Sequence, residues 1–228
     1  MLSRIRPLRV LELARRDVPA PVDVINLIDT ARFDRYRWYG VLVLPVMTAA
    51  GGRVLWMARQ DESLLGAPQC NKLLVVRYPS HRRFLAMTLN PYYLAINRLR
   101  EAGVRRFEAS FTHASHCEAD LRRRRQLVGV HFRGELGGVV SAMQSAGCEL
   151  VYATRATAPI GFLDPPQPTD PNPLTFAQLA LFAVPDGRLP DVAGAVAAVV
   201  DDCSVQLYRC EHPSEYVPPL VQRLRGAS

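Results

Sequence analysis

Apolar and polar residues along this chain alternate with a period of two, then recur at helical spacing, then alternate again, and the changes come in a repeated order. Residues 22–28 are β-rich and end at Asp29-Thr30, which can cap a helix. Phe33, Tyr36, Gly40, Leu44 and Met47 then share one stripe, predicting a helix over 31–50 that lays one face on a sheet, with Pro45 expected to kink or break it. A strand over 53–60, a polar turn over 61–71 and a strand over 72–78 follow. Ser80 caps a helix from His81 to about Leu89, and Asn90-Pro91 opens another over 92–101, closed by Gly103. Residues 106–112 alternate as a last strand.

The second half runs in the same order, with strands at 126–132, 149–157, 175–184 and 204–210 and helices at 135–146 and 190–201. A proline-rich excursion over 159–173 stands where the first half has its polar turn, and reads as a lid or a stiff wrapper. One stretch recurs without a gap: Met47-Thr-Ala-Ala-Gly51-Gly-Arg-Val-Leu-Trp56-Met-Ala-Arg59 returns as Met143-Gln-Ser-Ala-Gly147-Cys-Glu-Leu-Val-Tyr152-Ala-Thr-Arg155. Each copy reads as a helix end, a glycine able to turn left-handed, and a strand. The order βαββαβ, used twice, predicts an α+β chain of two tandem ferredoxin-like repeats. The division is a 1–20 N-terminal arm, a 21–116 first repeat, a 117–125 basic linker, a 126–216 second repeat and a 217–228 tail.

Composition narrows the setting. Hydrophobic residues make up 49% of the 228, yet no run approaches the ~20 apolar residues of a membrane helix, and the basic amino terminus lacks the apolar core of a secretory signal. A cytoplasmic protein without a membrane partner is expected. The formal charge of +7 is carried almost wholly by arginine, Lys72 being the only lysine, and the one basic cluster, Arg122 to Arg125, falls in the expected solvated linker. No nucleic-acid partner is expected. Cys70, Cys117, Cys148, Cys203 and Cys210 form no C-x-x-C pair, so reduced structural thiols are expected. Gly-rich phosphate loops, G-x-S-x-G and H-E-x-x-H are absent, which disfavours nucleotide hydrolysis, serine hydrolysis and zincin proteolysis.

The stretch 72–100 carries a strand ending in Tyr78-Pro79-Ser80 and then a helix with Tyr93 and, seven residues on, Arg100. It resembles a small family of unknown function in the dimeric α/β-barrel superfamily. Phe33-Asp-Arg-Tyr36 and Ala50-Gly51-Gly52-Arg53 are similar to the same family, so the resemblance covers roughly 22–113. The second half matches in outline and has no equivalent of the Tyr93 and Arg100 helix. The resemblance implies that the two repeats form an intramolecular α/β barrel, as a monomer with an internal pseudo-dimer or as a homodimer. Relatives in that superfamily include cofactor-free monooxygenases, haem-degrading or haem-dependent enzymes and isomerases, which leaves the reaction open.

Tyr93 and Arg100 share one helix face two turns apart. Arginine can hold a carboxylate or enolate oxygen by a fork of donors, and tyrosine can share that oxygen or act as a weak acid; both also suit a structural role. They are the candidate catalytic pair. Asn26, Trp56, Arg77 and His131 lie in strands among apolar residues and are candidate ligand contacts, or satisfied core residues. His113-Ala-Ser-His116-Cys117 and Cys210-Glu-His212 invite a metal reading, but their spacing matches no ligand set, and no metal or other cofactor is expected. The leading reading is a barrel that binds a small apolar carbonyl compound in one pocket per chain, as a cofactor-free monooxygenase-like or isomerase-like enzyme. The alternative is a non-catalytic sensor or protein-interaction module that uses the proline-rich loop or the Arg122 to Arg125 run. A third is a haem protein with His131, His113 or His116 as ligand.

Overall fold

Local signals start most elements where the sequence places them. In the computed structural model, which describes residues 7–15, 20–66, 70–119, 121–159, 177–185 and 191–211, a nine-residue strand β1 (Val22–Thr30) leads into helix α2 (Phe33–Ala49), which runs through Pro45 unbroken. Asp29 and Thr30 do not cap that helix: Asp29 Oδ1 accepts the Asn71 N–H at 2.8 Å, and the Thr30 N–H donates to Asn71 Oδ1 at 3.0 Å. Strands β2 (Arg53–Leu65) and β3 (Lys72–Tyr78) follow. Ser80 Oγ accepts the Arg83 N–H to cap α3 (His81–Thr88), and Asn90 Oδ1 accepts the Tyr92 N–H to cap α4 (Pro91–Gly103), with Pro91 in its first turn. Strand β4 (Val104–Cys117) closes this half. Ahead of it, the expected N-terminal arm holds a helix, α1 (Pro7–Arg15), that buries Leu13 beside Val10 and Ala14.

The second half contains β5 (Gln126–Phe132), α5 (Leu136–Ser145), β6 (Glu149–Pro159), β7 (Gln178–Ala183), α6 (Val192–Ala197) and β8 (Cys203–Cys210). The two matched stretches make the same turn. Gly51 has φ 78° and Gly147 φ 82°, and Met47 O and Met143 O each accept an N–H from five residues on at 2.9 Å. The proline-rich residues 160–176 and the tail 217–228 lie outside the described residues.

Two tandem ferredoxin-like repeats assembled as an α/β barrel are not what the chain forms. It is α+β, but its sheet is one closed antiparallel barrel of eight strands in the order β1-β3-β2-β8-β5-β7-β6-β4, with six helices among the described residues. The difference arises at two strands that outrun their sequence signal. β2 continues through the expected polar turn, and its residues Ala58 to Leu65 pair with β8; β4 continues to Cys117 and pairs from Ser110 onward with β6. Two separate sheets would each leave edge N–H and C=O groups unpaired. Here the ladder closes on itself at both junctions, so neither half ends in an edge. The segment read as a solvated linker takes part as well. Leu121 sits in the barrel core, and Trp56 Nε1 donates to Arg124 O at 3.3 Å.

Alternation along the strands sorts side chains into two layers. In β1, Ile25 and Leu27 enter the barrel, where Trp56, Tyr152 and Tyr208 are among the largest fully buried side chains, whereas Val24 and Ile28 face the helices. The interior is thus built as a hydrophobic core. A second apolar cluster joins α5 and α6 to the outer face of their half through Val139, Met143, Val192 and Val196.

The first half draws its helices unusually close at Gly103. Its carbonyl accepts the N–H groups of Ala31 at 2.9 Å and Arg32 at 3.0 Å, and a Cβ there would meet the Tyr36 backbone nitrogen at 2.8 Å. Gly103→Ala is expected to destabilise by about 1–3 kcal/mol, because backbone cannot step aside and this overpacking outweighs the roughly 1 kcal/mol that alanine gains over glycine in a helix. A urea midpoint lowered at unchanged slope is the expected result; a raised midpoint would show that α2 can retreat freely.

Candidate functional site

Helix α4 presents Tyr93, Asn97 and Arg100 on one buried face, the spacing of four and then three that aligns side chains on a helix. That face packs against α2. Arg100 is only 7% exposed, with its guanidinium carbon 3.9 Å from the centroid of the Phe107 ring on β4. Tyr39 of α2 donates its hydroxyl to the Tyr93 oxygen at 3.3 Å, and the two rings meet edge-on at 6.4 Å. The Tyr36 ring lies 5.9 Å from that of Tyr39. Together these groups form an aromatic cage around a buried cation.

The electrostatics of the cage are one-sided. Burial pushes the Tyr36 and Tyr39 hydroxyls well above the usual phenol range, so both are neutral donors at physiological pH. Burial also opposes the charge on Arg100, but Tyr93, Tyr39, Tyr36 and Glu101 outweigh it, and the guanidinium stays a cation with its affinity for the proton raised. Among the described residues no carboxylate lies within ion-pair distance of Arg100, and its buried Nε has no hydrogen-bond partner. The Asn97 side chain donates through Nδ2 to Glu101 Oε1 at 3.0 Å, while its buried Oδ1 accepts nothing from the described residues. Taking a charge from water without a counter-ion costs several kcal/mol, whereas a desolvated cation–π contact returns about 2 kcal/mol. The deficit is the size that a bound anion would offset.

One rim of the cage is built from the far side of the chain. Lys72 Nζ stands 4.4 Å over the Phe33 ring and forms a buried ion pair with Glu211, which follows β8 and is fixed by donating its N–H to Met57 O at 2.9 Å. After burial, the Glu211 charge is among the influences that raise the Tyr36 hydroxyl further.

The six residues singled out from sequence fall in two places. Tyr93 and Arg100 meet in the cage. Asn26 faces the same helical layer by the alternation of β1, but its Nδ2 is spent on the Val24 and Leu74 carbonyls, each at 3.2 Å. Trp56, Arg77 and His131 point into the barrel instead. Arg77 forms a fork to Asp23 at 2.6 and 2.9 Å, and Tyr152 donates to the same carboxylate at 2.9 Å. His131 Nε2 bonds the Tyr208 hydroxyl at 2.9 Å, and burial lowers its pKa to about 3, leaving a neutral imidazole. Tyr36, Tyr39, Asn97 and Phe107 were missed by sequence reasoning. Tyr36 was visible on the α2 stripe, Tyr39 as the residue three after it, and Asn97 as the residue four after Tyr93. His113 lies with its ring 5.9 Å from that of His81, and the described residues contain no group of three or more His, Cys, Asp or Glu placed to hold a metal ion; His212 lies outside them. None of the five cysteines is joined in a disulfide, and burial pushes the Cys70 thiol up to about 12.

Comparison with known proteins finds a family match to part of the chain. Residues 24–109 match the family described as a domain of unknown function, DUF1330. The match spans β1 to β4, the half that holds the cage. No match was found among curated proteins. Among solved structures, the chain is similar to a protein of unknown function from Rhodopseudomonas palustris, 24% identical over 44% of this chain and 87% of that one, with a TM-score of 0.42. An anthrone oxidase-like protein is 10% identical over 86% and 94% of the two chains, at a TM-score of 0.46. A candidate monooxygenase from Fusobacterium nucleatum is 10% identical over 84% and 92%, at 0.48. Similarities of this size carry no reaction across, so the functional reading rests on the cage. Among the described residues no helix is long and apolar enough to cross a membrane.

His131 generates a pH prediction. Its native pKa of about 3 lies below the ordinary 6.5, so between those values the unfolded chain binds a proton that the native state refuses. Stability is therefore full above 6.5 and is lost as pH falls toward 3, with roughly 2–3 kcal/mol gone from this residue by pH 4.5. Urea midpoints measured at pH 7 and pH 4.5 should fall less in His131→Gln than in the native protein. Equal losses would show that the imidazole is solvated.

Proposed function

We propose that the cage between α2, α4 and the outer face of the sheet binds a small, largely apolar carbonyl compound through an anionic oxygen, and serves proton-transfer or cofactor-free oxidative chemistry on it. The observation that carries this reading is a guanidinium buried among aromatic rings with, among the described residues, no carboxylate at ion-pair distance. Structural arginines in such surroundings are paired, as Arg77 is with Asp23. An unpaired one holds charge in reserve for something that arrives from outside.

Arg100 offers a donor to an enolate or carboxylate oxygen in a site where few water dipoles compete, which is where such a contact is strongest. Tyr93 accepts from Tyr39 and so keeps its own hydroxyl proton to share with the same oxygen. Tyr36 and Tyr39, pushed up by burial, are too weakly acidic to supply the cation with an anionic partner. Phe107 and the tyrosine rings supply the apolar walls of a small-molecule site. An anion formed or bound here is thereby stabilised by preorganised groups that need no rearrangement, and charge that develops during a reaction would be stabilised most.

Replacing Arg100 separates binding from folding. Arg100→Gln removes the charge and keeps much of the volume, so the ligand-free variant should unfold within about 1 kcal/mol of the native protein, because an uncompensated buried charge is no asset to the fold. Affinity for a small aromatic carboxylate such as benzoate, measured by calorimetric titration, should fall at least about tenfold, the scale of a charged hydrogen bond. Unchanged affinity would remove Arg100 from the site. A variant that fails to fold would make the residue structural.

A further inference from the structure

We infer that the ligand of this cage is an aromatic acid or enolate that also carries a hydroxyl group, and that Asn97 reads the hydroxyl. The inference rests on the anion-binding reading of Arg100 and adds to it a second contact of opposite polarity. Asn97 is 4% exposed in the middle of α4, a place where asparagine is a poor helix former and an aliphatic residue would pack without penalty. Its amide donates to Glu101, so the group is held in one orientation, and its Oδ1 is left buried without a donor among the described residues. An amide oxygen only accepts, and a guanidinium only donates.

Asn97 and Arg100 sit three residues apart, about 5–6 Å between their Cβ atoms on a helix surface. One compact molecule can therefore meet both. It must present an acceptor to Arg100 and a donor to Asn97, with a flat apolar body packed against the aromatic side chains that surround them. A carboxylate or carbonyl compound without a hydroxyl would satisfy the arginine and leave the asparagine oxygen desolvated, the costly way to bury an acceptor. The orphan already lacks a partner in the ligand-free protein, so an unhydroxylated analogue gains nothing from it, whereas a ligand hydroxyl gains a buried contact, and the discrimination is a reward for that hydroxyl.

The test is calorimetric titration of the full-length protein with benzoate, the three monohydroxybenzoates and their methyl ethers. One hydroxybenzoate isomer should bind about tenfold or more tightly than benzoate, and its methyl ether, which cannot donate, should lose that advantage. Asn97→Leu should erase the preference while leaving benzoate affinity within about twofold, and Arg100→Gln should weaken every acid. The ether comparison needs no variant, so a misfolded Asn97→Leu leaves the result readable. Arg100-dependent binding of all the acids with no preference for a hydroxyl would overturn this inference and leave the anion site standing. No binding by any of them, or binding that survives Arg100→Gln, would overturn both.

Discussion

Closure of the β-ladder is the constraint on which everything else in this protein depends. An eight-stranded antiparallel barrel has just enough interior for side chains to fill it, and no edge on which another chain could pair. The closure is made by the two strands that overrun, β2 reaching β8 and β4 reaching β6. Once it is made, Trp56, Tyr152 and Tyr208 have nowhere to point but inward, and the polar groups that share the interior must satisfy one another there. Asp23 with Arg77 and Tyr152, and His131 with Tyr208, are the result. The guanidinium of Arg100, which has no carboxylate at ion-pair distance among the described residues, lies instead in the layer outside the barrel, beneath α2 and α4. The same closure brings Glu211, at the end of the last strand, to Lys72 at the start of β3, so the rim of the cage depends on both halves of the chain.

Much of this was legible in the sequence wherever the signal was local. Capping residues marked α3 and α4, the glycines at 51 and 147 marked two equivalent turns, and the spacing of Tyr93 and Arg100 placed them on one face. What could not be read was set by distant partners. Asp61, Glu62 and Ser63 look like a turn because they are polar, yet β2 continues through them because Glu62 and Ser63 pair with Leu207 and Gln206 of β8, with Asp61 at an irregularity in the ladder. A β-bulge between Val54 and Trp56 shifts the alternation of β2, so Leu55 and Trp56 both reach the barrel core. Leu121 lies next to four consecutive arginines, and composition assigns it to solvent, whereas the open end of a barrel draws it in. The cage itself was half visible. A pair of residues on one helix is readable, but their partners on α2 and β4 depend on how closely the backbones approach at Gly103.

The two halves divide the work unequally, and the division has an energetic logic. The layer around α5 and α6 is built from valine, alanine, leucine, methionine, phenylalanine and cysteine, with α6 reduced to six residues and no ionisable side chain within that helix. The matching layer around α2 and α4 buries an arginine, an asparagine and three tyrosines. If each half had to fold alone, the second would be secure and the first would carry an uncompensated cation. Because the ladder runs through both junctions without an edge, the halves cannot separate without breaking β2 from β8 and β4 from β6, and the apolar half can offset what the polar half lacks. A buried charge of this kind persists only where the surrounding structure over-determines it. The same balance limits the barrel to one such cage: duplicating it on both sides would remove the apolar layer that makes the first cage tolerable.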